Sequence, residues 1–169
     1  MKARLALEYD TVRATLARTR RARLLEVSDE GHFYKVAFHV RTLVRDDDGM
    51  VREEERMVPV TYELSSLHPL ESPIAIAQQP DIHNPHINDP RRPGPLPPLP
   101  FVCLGQFRAE HRLADWISAT YRVLAYQCLT HEHGLNAEAL AWARRAVGKG
   151  KLPIDSREFF EPLRTEPRS

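Results

Sequence analysis

Two stretches of strict alternation constrain what this chain can fold into. Tyr34, Val36, Phe38 and Val40 alternate with Lys35, Ala37, His39 and Arg41, and Val58, Val60, Tyr62 and Leu64 share one face of a second run. A period of two with apolar residues on one side is the pattern of a half-buried strand. Asp48-Gly49 lies between the runs and is a hairpin turn signal. The entry to the return strand, Arg52-Glu53-Glu54-Glu55-Arg56, is too polar for a core, so the hairpin tip belongs in water. Pro59 has no amide donor and therefore needs an edge or a bulge. Arg23 to Val27 and Ile74-Ala75-Ile76-Ala77 add two short strands, giving an antiparallel meander of about four.

Helical spacing is confined to the two ends. Leu5, Tyr9, Val12 and Leu16 recur as one face of an opening amphipathic helix. It leads into the basic run Arg18-Thr19-Arg20-Arg21-Ala22-Arg23. That run reads either as a solvated face favourable at a helix C-terminus or as a docking surface for a protein. Farther on, Leu113, Ile117, Leu124 and Cys128 keep the spacing of one buried face, with Trp116 and Tyr121 beside it. Asn136 reads as an N-cap, with Leu135 and Leu140 at the staple positions, and Gly148 ends that helix after Val147. A short helix around Phe159-Phe160 and a frayed polar tail complete the chain. The order is helix, strands, a long irregular segment, then two or three helices. Segregated strands and helices argue an α+β fold with helices on one sheet face. The expected division is a domain over residues 1–150 and a C-terminal piece over 151–169.

Composition limits the function classes. Lys and Arg number 24 against 23 Asp and Glu, so no net field draws the chain to nucleic acid or membrane. With 42% hydrophobic residues the chain can bury a core without disulfides or metals. Two distant cysteines do not make a secreted disulfide scaffold. No apolar run approaches the roughly 18 residues of a membrane helix, and the N-terminus lacks the apolar core of a signal peptide. The expectation is a cytoplasmic protein that needs no cofactor and no metal.

Most of what the sequence implies about function turns on Cys103. It follows the proline-dense run from Pro90 to Pro100, and Asn84-Pro85-His86 lies just upstream. A thiol after a stiff extended segment is either a positioned nucleophile or a small buried hydrophobe. Cys128, on an apolar helical stripe, reads as core.

Several local motifs, in this order, resemble the ubiquitin-conjugating enzyme family. Pro69 and Pro73, in Leu67-His68-Pro69-Leu70-Glu71-Ser72-Pro73, resemble its Tyr-Pro-x-x-x-Pro element, with His68 in place of Tyr. Asn84-Pro85-His86-Ile87 is similar to the His-Pro-Asn-Ile element ahead of the catalytic cysteine, Val102-Cys103-Leu104 to Ile-Cys-Leu, and Asp115-Trp116 to the Asp-Trp that opens the following helix. The resemblance spans roughly residues 1–147. It departs from the family in reading Asn-Pro-His, in a segment between Pro85 and Cys103 about twice the usual length, and in proline where glycine is usual. These departures resemble divergent bacterial members, which are typically encoded beside an activating enzyme, a ubiquitin-like protein and a deconjugating protease.

What the resemblance implies is an acyl carrier. Cys103 would accept the C-terminal acyl group of a ubiquitin-like protein from an activating enzyme and pass it to an amine on a protein substrate. Asn84 or His86 would stabilise the oxyanion, and Asn136 would stand where the family gates the incoming amine. The opening helix with Arg13, Arg18, Arg20 and Arg21 would meet the activating enzyme. A catalytically silent binding module of the same fold is the alternative. Three other signals are weaker. Arg92-Pro93-Gly94-Pro95-Leu96-Pro97-Pro98 fits a polyproline-recognition pattern, or is a stiff loop packed over the site. His83, His86, His131 and His133 lack the tight spacing of a zinc site, and the basic run lacks the interleaved aromatics of a nucleic-acid surface.

Overall fold

The inward positions of both alternating runs are buried: Tyr34, Val36, Phe38 and Val40 on one, Val58, Val60, Tyr62 and Leu64 on the other. The computed structural model describes residues 2–68, 70–92, 96–105, 110–128 and 134–160. Its elements are α1 (Lys2–Leu16), β1 (Ala22–Val27), β2 (Phe33–Arg45), β3 (Val51–Glu63), β4 (Ile74–Ala77), α2 (Leu113–Leu124) and α3 (Ala137–Val147). The strands form one antiparallel sheet in the order β1-β2-β3-β4. The β2–β3 register sets Tyr34 against Tyr62, Val36 against Val60 and Phe38 against Val58. Gly49 turns that hairpin at φ 83°, a left-handed conformation that suits glycine.

One face of the sheet is covered by α2 through Leu113, Trp116, Ile117, Tyr121 and Leu124, and by α1 through Leu5, Val12 and Leu16. A buried relay ties β3 to α2: the Tyr62 hydroxyl donates to Thr120 Oγ1 at 2.7 Å, and Thr120 donates to the Trp116 carbonyl at 2.8 Å. A second cluster gathers Leu43, Tyr126, Ala143 and Ile154, with Trp142 and Leu152 against it. Through it α3 and the chain after residue 150 pack on the far end of β2. Pro59 sits where pairing ends. β4 reaches only to Val60 opposite Ala77, and the Pro59 carbonyl takes the Gln78 amide at 2.8 Å. Carbonyl and amide of one strand residue face the same neighbour, so the missing donor faces the end of β4.

Beyond β1, the free edge of β2 is covered piece by piece. The His39 amide donates to the Arg21 carbonyl, the Arg41 amide to Asp155 Oδ2 at 3.0 Å, and the Arg45 amide to the Asp81 carbonyl, while the Leu43 carbonyl receives the His83 amide. Asp155 is buried. Burial opposes its ionisation, but Arg157 and the Arg41 amide outweigh that and pull its carboxyl down to about 2. Residues 151–160 are irregular, and the short helix expected around Phe159-Phe160 does not form there. Phe159 enters the main core, and the Tyr121 hydroxyl donates to the Arg157 carbonyl. Backbone held by side-chain bonds and ring packing has no need of helical bonds of its own.

Two details of α1 differ from the helical-face reading. Tyr9 is 36% exposed, and the buried position one turn after Leu5 is Glu8, at 0%. Both residues fit the spacing; Glu8 takes the inner one because donors wait there. Its Oε2 accepts the Leu113 amide at 3.1 Å, and its Oε1 lies 3.3 Å from both His68 Nε2 and Arg112 Nη1. One carboxylate thus joins α1, the start of α2 and the loop after β3. The basic set also divides. Only Arg13 belongs to the helix, which stops at Leu16; Arg18 lies over the Phe160 ring, and Arg20 and Arg21 form the turn into β1.

Burial alone would raise the Glu8 carboxyl, but its bonds to His68, Leu113 and Arg112 hold it below the usual range. A depressed carboxylate stabilises the fold above its unfolded value and loses that contribution as pH falls through the folded value. Glu8→Ala is expected to cost about 3 kcal/mol at neutral pH, because it strands buried donors. Urea unfolding against pH checks this, and the gap between wild type and variant should close on acidification below the ordinary carboxylate range.

Candidate functional site

The chain before Cys103 is bonded on both sides. The Ala77 amide donates to the Pro100 carbonyl at 3.0 Å and the Val102 amide to the Ala75 carbonyl at 2.9 Å, so Pro100–Val102 extends the sheet beyond β4. On its other side the Asn88 amide donates to the Phe101 carbonyl at 2.9 Å and the Cys103 amide to the His86 carbonyl at 2.7 Å. Pro100 and Val102 are buried; Cys103 is the first exposed residue after them. The hydrogen-bonded backbone of the segment sets the direction in which the Cys103 side chain leaves it.

Cys103 opens onto a cavity of about 250 Å³, lined chiefly by apolar groups: Leu104, Ala119, Val123 and Leu135, with His86, Arg122 and Cys128 at its polar points. His86 is 8% exposed, and its burial lowers the imidazole pKa, which favours the neutral ring. Neutral imidazole offers one N–H and one acceptor.

Asn84 is placed differently. It is fully buried, its Nδ2 donates to the Val123 carbonyl at 2.8 Å, and its Oδ1 accepts the His86 amide at 2.9 Å. Its amide is occupied in closing the turn through Pro85 and in tying that turn to the end of α2. Asn136 caps α3, its Oδ1 accepting the Ala139 amide at 3.1 Å. The Pro85 carbonyl receives the amides of both Leu135 and Asn136, which brings the start of α3 against the Asn84-Pro85-His86 turn. Of the sequence-derived candidates, then, the structure brings Cys103 and His86 to one cavity, while Asn84 and Asn136 brace its walls.

Cys128 is not core. α2 stops at Leu124, Tyr126 takes a positive φ of 58°, and Cys128 is exposed on the wall of the Cys103 cavity. The helical stripe breaks because the Gln127 and Cys128 amides both turn back to the Arg122 carbonyl. Arg122 was not singled out by sequence; an arginine on an amphipathic helix carries no signal beyond solvation.

None of the described residues of the proline-rich segment lines the cavity; Leu96 to Leu99 are exposed, and Asn88 Nδ2 donates to the Pro97 and Leu99 carbonyls. Its entry is pinned by charge. Arg91 and Arg92 flank the buried Asp89, and Arg92 also bonds Glu138 in the first turn of α3. His83 is buried, with its carbonyl accepting the Tyr126 hydroxyl. Pro69, Pro93 to Pro95, His131 and His133 lie outside the described residues; among those described, no three His, Cys, Asp or Glu side chains group as metal ligands. No described helix is long and apolar enough to cross a membrane.

Solved structures share this architecture. One described as a "Novel Ubiquitin-Conjugating Enzyme" aligns with a TM-score of 0.56 and 13% identity over 89% of this chain and 87% of its own. S. cerevisiae Ubc12 aligns with a TM-score of 0.53 and 17% identity over 85% of this chain and 71% of its own. The fold is that of ubiquitin-conjugating enzymes. No family model and no curated protein matches the sequence. Within this fold the departure at Asn84-Pro85-His86 gains a physical meaning, because the asparagine is turned into the protein and the histidine faces the cavity.

Gly134 provides a test of how the walls are held. A Cβ there would come 2.8 Å from the Pro85 carbonyl oxygen, a backbone atom that must shift. Gly134→Ala should therefore cost about 1–3 kcal/mol and loosen α3 from the turn. Chemical unfolding reads the first effect, and faster amide exchange at Leu135 and Asn136 reads the second.

Proposed function

We propose that the protein is an acyl carrier that takes a ubiquitin-like protein onto Cys103 as a thioester and passes it to an amine. The observation that supports this most directly is the exposure of Cys103, immediately after a buried, doubly bonded strand, beside a buried His86 on an apolar cavity. In the accepting step the Cys103 thiolate attacks the carbonyl of the activating enzyme's thioester, and the enzyme's thiolate leaves. In the donating step an amine attacks the new thioester, Cys103 thiolate departs, and the amine nitrogen loses a proton. Each step passes through an oxyanion. Asn84 is committed to the Val123 carbonyl, so His86 is the group we assign to that oxyanion, donating one N–H from a neutral ring. Asn136 contributes through the cap and the Pro85 contact rather than by touching the amine.

The partners follow from the same reading: an activating enzyme, a ubiquitin-like protein and a protein acceptor. With the basic residues split between α1 and the turn after it, Arg13 and the Arg18–Arg21 turn would present two adjoining patches to the activating enzyme. One observation favours the second reading, a silent binding module of this fold. The one side-chain amide of the Asn-Pro-His turn is used structurally, so it is not spare for an oxyanion.

The two readings separate in one assay. Incubation with a cognate activating enzyme, ubiquitin-like protein and ATP should give a reductant-sensitive adduct of wild type, and none of Cys103→Ala. His86→Ala should slow both loading and transfer, transfer by about 10²-fold, with partial rescue by His86→Gln. No adduct on wild type, or an adduct that survives in Cys103→Ala, would rule the carrier out.

A further inference from the structure

Cys128 is a nucleophilic group that the proposed chemistry leaves unused. It lies on the wall of the same cavity as Cys103, both thiols are free and exposed, and the lining around them is largely apolar. Neither is in a helix or strand. Cys103 precedes Gly105, at φ 87°, and Cys128 follows the Tyr126 turn, at φ 58°. A buried structural cysteine is inert to oxidants, whereas an accessible thiol with a second thiol on the same small cavity has a partner to capture its oxidised form.

We propose that Cys128 is the resolving thiol for Cys103, making the cavity a peroxide-sensitive dithiol site. The Cys103 thiolate attacks one oxygen of hydrogen peroxide; the O–O bond breaks, giving Cys103 sulfenic acid and hydroxide. The Cys128 thiolate then attacks the Cys103 sulfur; the S–O bond breaks, a second hydroxide leaves, and the S–S bond forms. Protons from the two thiols convert the hydroxides to water, so the two sulfurs lose two electrons and peroxide gains them. Reduction by a small dithiol reverses the bond. The functional consequence rests on the acyl-carrier reading: a disulfide at Cys103 cannot accept an acyl group, so oxidation would switch loading off and protect the thiol from irreversible sulfinic acid. The chemistry itself is independent of that reading.

The test uses the full chain and hydrogen peroxide, with peptide mapping under non-reducing conditions. In the native protein the expected product is an intramolecular link between the peptides holding Cys103 and Cys128, a loss of two hydrogens per molecule, and full recovery with dithiothreitol. The link should form about tenfold faster in native protein than in urea, because the fold brings the thiols together. In Cys128→Ser, Cys103 should stop at sulfenic acid, trapped by dimedone, and pass to sulfinic acid with excess peroxide. Sulfinic acid at Cys103 in wild type without the link, links only between molecules, or equal rates in native protein and urea would each overturn the proposal. Because mapping requires no activating enzyme, a failure here is distinct from a failure of thioester loading.

Discussion

The hydrogen bonds on the two sides of Pro100–Cys103 are the constraint from which the site follows. β4 holds one edge of this segment and Ile87–Asn88 the other, with Cys103 itself tied to the His86 carbonyl. A strand bonded on both edges cannot rotate, and its alternation sends Val102 inward and Cys103 outward. The same bonds bring the Asn84-Pro85-His86 turn beside the thiol. That turn is in turn gripped by Val123 from α2 and by Leu135 and Asn136 from the start of α3. The cavity therefore lies where sheet, α2 and α3 converge.

Away from the site, buried carboxylates do what hydrophobic packing alone does not. Glu8 caps the first amide of α2 from α1, and Asp155 supplies the acceptor that the edge of β2 lacks beyond β1. Both are acids whose burial is offset by several donors, the condition under which a buried charge is tolerated. Asp155, with the packing of Phe159, also explains why the described chain after residue 150 is part of the packed structure although residues 151–160 form no regular element.

Much of the fold was legible in the sequence because a period of two and a turn signal depend on few assumptions. Tyr34 to Val40 and Val58 to Leu64 state their inward faces directly, and Asn136 with Gly148 brackets α3. Less legible was any position decided by a polar partner distant in sequence. Tyr9 and Glu8 fit α1 equally well, and partners distant in sequence, His68, Arg112 and the Leu113 amide, select Glu8. Cys128 continued an apolar stripe on paper, but the helix stops four residues earlier and the thiol emerges into the cavity. As letters, Asn84 ranks slightly above His86 as an oxyanion donor, because an amide donates at any pH. Their opposite orientations come from the bond of Asn84 to the end of α2, which no spacing encodes.

The chemistry proposed for the site is spare: an exposed Cys103 thiol, an imidazole that burial favours in its neutral form, and a largely apolar wall that also carries Arg122 and Cys128. On the acyl-carrier proposal little more is needed, since a thioester is already reactive toward amines. The most direct measurement of the central claim is the nature of the bond at residue 103. Cys103→Ser, incubated with activating enzyme, ubiquitin-like protein and ATP, should convert the reductant-labile adduct of wild type into an oxyester that survives dithiothreitol and is cleaved by hydroxide. A wild-type adduct that itself resists dithiothreitol, or a labile adduct retained in Cys103→Ser, would contradict the account.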